Sequence, residues 1–360
     1  MTTQQKACSI APDASQDPRH RLLTAELSAA GCFRPATART VVYGVCILTG
    51  YATGYVVLLG NPGTGIWFTA IALLAFCSVH AGFLAHEAGH GAITRNRRTA
   101  AAVGQIFNSL LTALCYSYFQ HIHRRHHPHC NERGRDPDMQ SGWFSMYRQS
   151  AEEKSGLGRL VSRYQEYLIW ILVWLQGFTL KLDSLAFLRS HPRATRADQL
   201  MLVMHFALWF GPPVYALGFQ EALLNYSLMT LLIGPYLGII FLVNHIGTHV
   251  VDPDENLTFF EQEIATTRNL GASRLHDFLF GGLNNHIEHH LFPSMPTARL
   301  PVARPITRNF CNRHGITYRE SSWFGAALEV FDHFKAMSRF VPHRHQAAGA
   351  TDASRGTAHR

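Results

Sequence analysis

The sequence predicts an all-α integral membrane protein: four transmembrane helices in two hairpins, with a helical cap on the cytoplasmic side. Three observations carry this reading. Only 16% of the 360 residues are charged while 47% are apolar, against about 25% charged in ordinary soluble chains. Uncharged stretches of about 20 residues recur, enough for ~30 Å of helix. Histidine is over-used, with 22 residues, more than core packing requires. Together these exclude a disordered chain and argue against a simple soluble enzyme. Seven cysteines, an odd number with no C-x-x-C pair, exclude a disulfide framework and a zinc finger. Cys46, Cys77 and Cys115 lie in apolar runs, where a thiol behaves as a small hydrophobe.

Residues 1–38 are polar, with Pro12, Pro18 and Pro35, and read as a mobile tail or interfacial arm without a signal peptide. The membrane domain is expected over 39–342, followed by a disordered tail over 343–360. Its first span, about 41–60, carries no charge and ends at the breaker Asn61-Pro62-Gly63. The second is 66–85; the third and fourth, 200–219 and 223–243, are split by Gln220 and Glu221. Two further apolar stretches are interrupted by polar residues: 100–119 by Gln105, Asn108 and Ser109, and 164–182 by Gln165, Glu166, Gln176 and Lys181. Such content suits a helix at the interface or packed on protein. The net charge of +8 is distributed as an orientation signal, and no nucleic-acid partner is expected. Arg95, Arg97, Arg98, Arg124, Arg125, Arg133 and Arg135 follow the second span, while the turns at 61–65 and 220–221 have no Lys or Arg. By the positive-inside rule, the segments after spans two and four face the cytoplasm, as does the N-terminus. A compact chain without a transit peptide suits a bacterial inner membrane.

Three histidine clusters carry the chemistry. His86-Glu87-Ala88-Gly89-His90 is H-x-x-x-H; His123-Arg124-Arg125-His126-His127 and His286-Ile287-Glu288-His289-His290 are both H-x-x-H-H. Helical positions i, i+3 and i+4 share a face, so each cluster points its imidazoles one way. Even at this histidine content, one H-x-x-H-H is expected by chance only ~0.1 times. Eight imidazoles exceed the needs of one four-coordinate zinc and suit two ions with open positions. Imidazole itself accepts Fe, Zn or Cu. For the clusters to build one site, an even number of crossings must separate them. The stretch 100–119 therefore does not cross, and of the three stretches between His127 and His286 two cross, with 164–182 the most polar. His245 and His249 emerge at the end of span four with i, i+4 spacing, adding two candidate ligands, and Asn244 could reach a metal through water. His80 and His205, inside spans, read as hydrogen-bonded bundle histidines, and His121 and His129 as groups flanking the second cluster.

At these residues the sequence resembles the membrane-bound fatty acid desaturase family, in its acyl-lipid and front-end-like branch. The resemblance covers about 66–335. It rests on the three clusters and their flanks: Asn131, Gly134 and Asp136-Pro137-Asp138 after the second, Gly281-Gly282-Leu283-Asn284 before the third, and Leu291-Phe292-Pro293 after it. It implies a four-span enzyme with a cytoplasmic cap and two non-haem iron ions, using O2 and two electrons to desaturate an acyl chain. The implied ligands are His86, His90, His123, His126, His127, His286, His289 and His290, with His249 as the ninth. Two positions depart from the pattern. Front-end members usually begin the third box with Gln, where this chain has His286. His245 stands where some relatives place a water-mediated Asn, so it is either a tenth ligand or a plain substitution. No H-P-G-G haem signature occurs, so electrons are expected from a separate ferredoxin or cytochrome b5. The substrate implied is a fatty acyl group on CoA, acyl carrier protein or a membrane lipid.

Abstracting hydrogen from a methylene requires an oxidant that side chains alone do not supply. Glu87, Glu288, Asp136 and Asp138 are candidates to orient ring N–H groups, and Arg124, Arg125, Arg133 and Arg135 are either headgroup ligands or orientation charges. Three rival readings use the same residues. A hydroxylase or ketolase of a lipid or carotenoid shares the eight-histidine framework. An intramembrane zinc protease would use His86-Glu87-x-x-His90 as H-E-x-x-H and leave both other clusters without a role. A metal transporter would want its ligands at mid-span.

Overall fold

A computed structural model of the chain describes residues 17–140 and 142–342. Among the described residues no strand forms; two isolated bridges join Glu132 to Val251 and Asn269 to Glu320. In chain order the principal helices are α1 (Pro18–Ala29), α2 (Thr37–Leu59), α3 (Thr64–Gly89), α4 (Arg97–Gly104) and α5 (Tyr116–His126). There follow α6 (Gln165–Ser190), α7 (Arg196–Leu217) and α8 (Phe219–His245), then α9 (Phe259–Thr266), α10 (His286–Leu291), α11 (Leu300–Arg313) and α12 (Trp323–Ser338).

The hairpins α2–α3 and α7–α8 correspond to the expected pairs of spans. Helix α3 is the most enclosed, with 67% of its apolar window buried. It meets α7 and α8 in a core of Ile71, Leu74, Val79 and Phe83 against Trp209, Tyr226, Met229 and Ile233. Among the described residues five helices, rather than the expected four, are long and apolar enough to cross a membrane. The additional one is α6, 26 residues long. Two of its polar residues find partners within the protein. Gln165 Oε1 accepts from Ser145 N–H at 2.7 Å, and Lys181 Nζ donates to Thr112 O while lying 5.2 Å over the Tyr226 ring. A short 3₁₀ turn at Val173–Leu175 bends α6 against α8. Gly234 permits the approach: a Cβ there would lie 2.6 Å from the carbonyl oxygens of Val173 and Trp174.

The stretch 100–119 is not one helix. Helix α4 continues as a π-helical turn, Gln105–Leu110, and stops inside the bundle. A buried helix end must pair its last carbonyls, and here side chains do it. His205 Nδ1 donates to Leu110 O at 2.7 Å, Tyr51 OH to Leu111 O at 3.0 Å, Lys181 to Thr112 O, and Asn108 Nδ2 to Leu114 O at 2.9 Å. The chain then returns as α5.

Helices α1, α9, α10 and α11 pack around one core, while α12 packs on α6 and α8. Within the stretch 1–38, expected as a mobile tail or interfacial arm, residues 18–29 form α1. Leu23 and Leu27, one turn apart on α1, are fully buried with Cys32 against Phe260, Ile287, Leu300 and Phe310. Three leucines among charged neighbours give α1 no apolar run, and only the surface opposite makes its Leu23–Leu27 stripe count. Residues 1–16 and the expected tail over 343–360 lie outside the described residues.

Replacing Gly234 by Val is expected to push α6 off α8 and cost about 1–3 kcal/mol, read as a lower melting temperature of the detergent-solubilised protein. Unchanged melting would contradict the close α6–α8 contact.

Candidate metal centre

Four segments deliver the histidines to one end of the bundle. His86 lies one turn before His90, the C-cap of α3. His123 and His126 end α5, and His127 begins the short 3₁₀ turn after it. His245 is the last residue of α8, and α10 carries His286, His289 and His290. The approach to α10 needs Gly281 at φ 56°, where a Cβ would lie 2.5 Å from the Phe83 ring. That contact sets the third cluster directly over α3.

The rings fall into two groups. Ligand nitrogens of His86, His90, His123, His127 and His289 all lie within 4.8 Å of one another. Within this group His123 Nε2 is 2.8 Å from His90 Nε2 and 3.0 Å from His127 Nε2. The second group joins His126, His245 and His290, with Cys130 Sγ beside them. His286 belongs to it through an Nε2–Nε2 separation of 2.7 Å from His245. Imidazole nitrogens each about 2.0–2.1 Å from one ion stand about 3 Å apart. His289 Nε2 and His127 Nδ1 are buried without a hydrogen-bond partner. Unshared nitrogen lone pairs at this separation repel unless a proton or a cation lies between them, so the donor set fits two transition-metal ions.

Acceptors behind the rings fix their orientation. His126 Nδ1 is 3.1 Å from both Asp136 oxygens, and His290 Nδ1 is 2.7 Å from Glu263 Oε2. His245 Nδ1 is 3.2 Å from Thr266 O and 3.3 Å from Cys130 Sγ. An Nδ1–H held in this way leaves Nε2 as the free donor. Asp136 is itself held by the N–H groups of Asn131 at 2.8 Å and Asp138 at 2.9 Å. Burial, reinforced by neighbouring rings, holds His90, His123, His127, His286, His289 and His290 well below the ordinary histidine range, which favours their neutral form. Burial also acts to lower His126, but the Asp136 carboxylate outweighs it and raises this ring well above that range. Burial lifts Glu263 well above the usual carboxylate range. A buried carboxylate behind a neutral ring is the arrangement that a dication on the ring's far side would stabilise.

His249, expected as the ninth ligand, lies outside both groups. Its ring is 45% exposed and its Nε2 is 2.8 Å from Glu255. The i, i+4 argument assumed that the helix continues, but α8 ends at His245, Ile246 is extended, and Gly247 sits at φ 83°. The chain turns away before position 249. Asn244 Nδ2 lies 3.3 Å from His286 Nδ1, with its Oδ1 buried and unpartnered. Of the four acids considered for ring orientation, Asp136 faces His126 directly, and Asp138 Oδ2 is 3.4 Å from the same nitrogen. Glu87 instead accepts from Thr297 N–H and Oγ1, both at 3.0 Å. Glu288 accepts from Asn269 at 2.8 Å and Tyr318 at 2.7 Å. Glu263, Thr266 and Cys130 belong to no spacing motif. His80 bonds Tyr43 and Tyr236, and His205 bonds Leu110 O and Tyr226. His121 packs on Phe187 and His129 pairs with Glu132. Arg124 and Arg125 are exposed, and Arg133 pairs with Asp252.

Residues 62–322 match the family described as fatty acid desaturase. The chain is 27% identical over 325 residues to a Delta(8)-fatty-acid desaturase of Borago officinalis, covering 85% of this chain and 72% of the relative. It is 29% identical over 250 residues to an acyl-lipid 8-desaturase of Rebecca salina, covering 67% and 56%, and 25% identical over 331 residues to Delta(8)-fatty-acid desaturase 2 of Arabidopsis thaliana, covering 87% and 73%.

The geometry separates two histidines four residues apart. His245→Ala is expected to weaken Fe(II) or Co(II) binding at least tenfold, and His249→Ala to leave it within about twofold, as measured by metal titration of the purified protein. The reverse order would contradict the grouping.

Proposed function

This chain belongs to the fatty acid desaturase family, and from that premise we propose that it introduces a double bond into a fatty acyl chain, using O2 and two electrons from a separate ferredoxin or cytochrome b5. The observation that carries the proposal is the division of nine imidazoles into a group of five and a group of four, His86, His90, His123, His127 and His289 against His126, His245, His286 and His290. Each group would hold one iron, with His245 in the role first assigned to His249. Two bound irons would supply the O2-dependent removal of two hydrogens from adjacent methylenes. The chain's own residues do the rest. Asp136, Glu263 and the Thr266 carbonyl keep three Nδ1 atoms engaged, so that Nε2 of His126, His290 and His245 faces the ions. The cap, closed by α1, keeps bulk water from the rings. The acyl tail would lie among apolar side chains between spans and cap, and its depth would set which carbons react. An acyl-lipid substrate is favoured over acyl-CoA or acyl carrier protein, in keeping with the names of the relatives. Glu87 is engaged by Thr297, which argues against its use as the base of a zinc protease.

For topology, we propose that α2, α3, α7 and α8 cross the membrane and α6 does not. Both ends of α6 touch groups on the metal-bearing side. Gln165 Nε2 donates to Phe334 O at 3.1 Å, while Phe187 packs on Tyr118 and His121 of α5. The arginines after α3 would put that side in the cytoplasm. The catalytic unit then begins with α1, ahead of residue 39.

Expression in a host of known lipid composition is expected to yield a new unsaturated acyl species on fatty-acid methyl ester profiling. His126→Ala and His289→Ala should abolish it while leaving membrane insertion intact. Retained product in either variant, or a hydroxylated product from the unaltered chain, would contradict the proposal.

A further inference from the structure

Helix α5 and the 3₁₀ turn that follows it carry three of the nine imidazoles, yet the sequence of α5 starts it weakly. Its N-cap is Cys115, whose Sγ accepts from Tyr118 N–H at 3.3 Å, and its first turn contains no acid. Stable helix starts use Ser, Thr, Asp or Asn as the cap, and a negative group there complements the helix dipole. The missing carboxylate comes from α7, 82 positions after Tyr116. Asp198 is 1% exposed. Its Oδ1 accepts from Tyr116 N–H at 2.9 Å and Ser109 Oγ at 2.6 Å, and its Oδ2 from Ser117 Oγ at 2.5 Å. Ser109 Oγ also accepts from Tyr116 N–H at 3.0 Å, and Ser184 Oγ of α6 accepts from Cys115 N–H at 3.1 Å. The start of α5 is thus held from outside by side chains that are no part of the histidine clusters. His123 follows Tyr116 by seven residues, two turns or ~10 Å of rigid helix.

We propose that Asp198 is a positioning residue for the metal centre: by clamping the N-terminus of α5 it sets the rise and rotation at which His123, His126 and His127 meet the ions. The inference rests on the ligand assignment proposed above. An 11-residue helix is marginal by itself, so its two ends decide where it sits. The Asp198 clamp fixes one end and the imidazoles end the other. Rotating α5 would move ligands of both groups at once, because His123 and His127 belong to the first and His126 to the second.

The test is Co(II) titration of the metal-free, detergent-purified full chain, read by ligand-field absorption, with thermal melting alongside. Asp198→Ala is expected to weaken Co(II) binding about tenfold and to change the band shape, and Asp198→Asn, which keeps an Oδ1 acceptor, to restore most of that shape. Asn225→Ala is the control. Asn225 is 2% exposed and accepts from Trp67 Nε1 at 2.7 Å at the far end of the bundle, so its loss should lower melting without touching the Co(II) spectrum. Wild-type affinity and spectrum in Asp198→Ala would overturn the proposal, and so would an equal spectral change in Asn225→Ala. Should Asp198→Ala fail to fold, Ser117→Ala deletes one arm of the clamp and must shift the spectrum in the same direction; an unshifted spectrum there overturns the proposal. Failure of the unaltered chain to bind Co(II) would instead overturn the ligand assignment, and this inference with it.

Discussion

Nine imidazoles from four separate segments touch one another at one end of a helical bundle, and the rest of the fold serves to keep them there. Neutral rings whose Nε2 atoms stand 2.7–3.0 Å apart have no stable arrangement without a shared proton or a shared cation. A metal held between them would add its binding free energy to the folding free energy of this end of the molecule. Removing a single ring would leave its neighbours crowded and unpaired rather than merely one ligand short. The carboxylates of Asp136 and Glu263, each placed behind a ring and away from any Arg or Lys contact among the described residues, belong to the same balance of charge.

The two most enclosed of the long apolar helices are the ones that end in the grouped histidines. Helix α3 runs into His86 and His90, and α8 stops at His245. A span fully packed on its neighbours cannot slide or tilt without opening the core, so its terminal ring is fixed by the whole bundle. Helix α5 has no such length, and its placement is borrowed from α6 and α7. The broken segment between α4 and α5 makes that loan available. Its carbonyls are sealed by Tyr51, Lys181 and His205, drawn from three different helices. A buried lysine, costly in a lipid-facing position, is explained here as a donor to a helix end that water does not reach.

The three histidine boxes were legible because each lies within one helical turn, where i, i+3 and i+4 spacing alone determines direction. Four of the five apolar helices were legible from uncharged length, and His80 and His205 from their position inside spans. What escaped depends on where a helix stops or on partners distant in sequence. The i, i+4 spacing of His245 and His249 assumed a continuing helix, but α8 ends at His245 with Gly247 at φ 83°, and only His245 joins the other rings. Helix α1 was hidden because Leu23 and Leu27 count only against a cap built more than two hundred residues later. Glu263 follows no spacing rule; it matters because α9 happens to face His290. The polar residues of α6 fitted a helix at the interface or packed on protein, and the structure packs it on α8 at Gly234.

The most direct test of the account is Mössbauer spectroscopy of the purified full-length protein reconstituted with ⁵⁷Fe(II). A five-imidazole group and a four-imidazole group predict two irons per chain, seen as two high-spin ferrous doublets of equal area with different quadrupole splittings. One iron per chain, or a single doublet unchanged by the loss of His245, would contradict the division of the nine rings on which the rest depends.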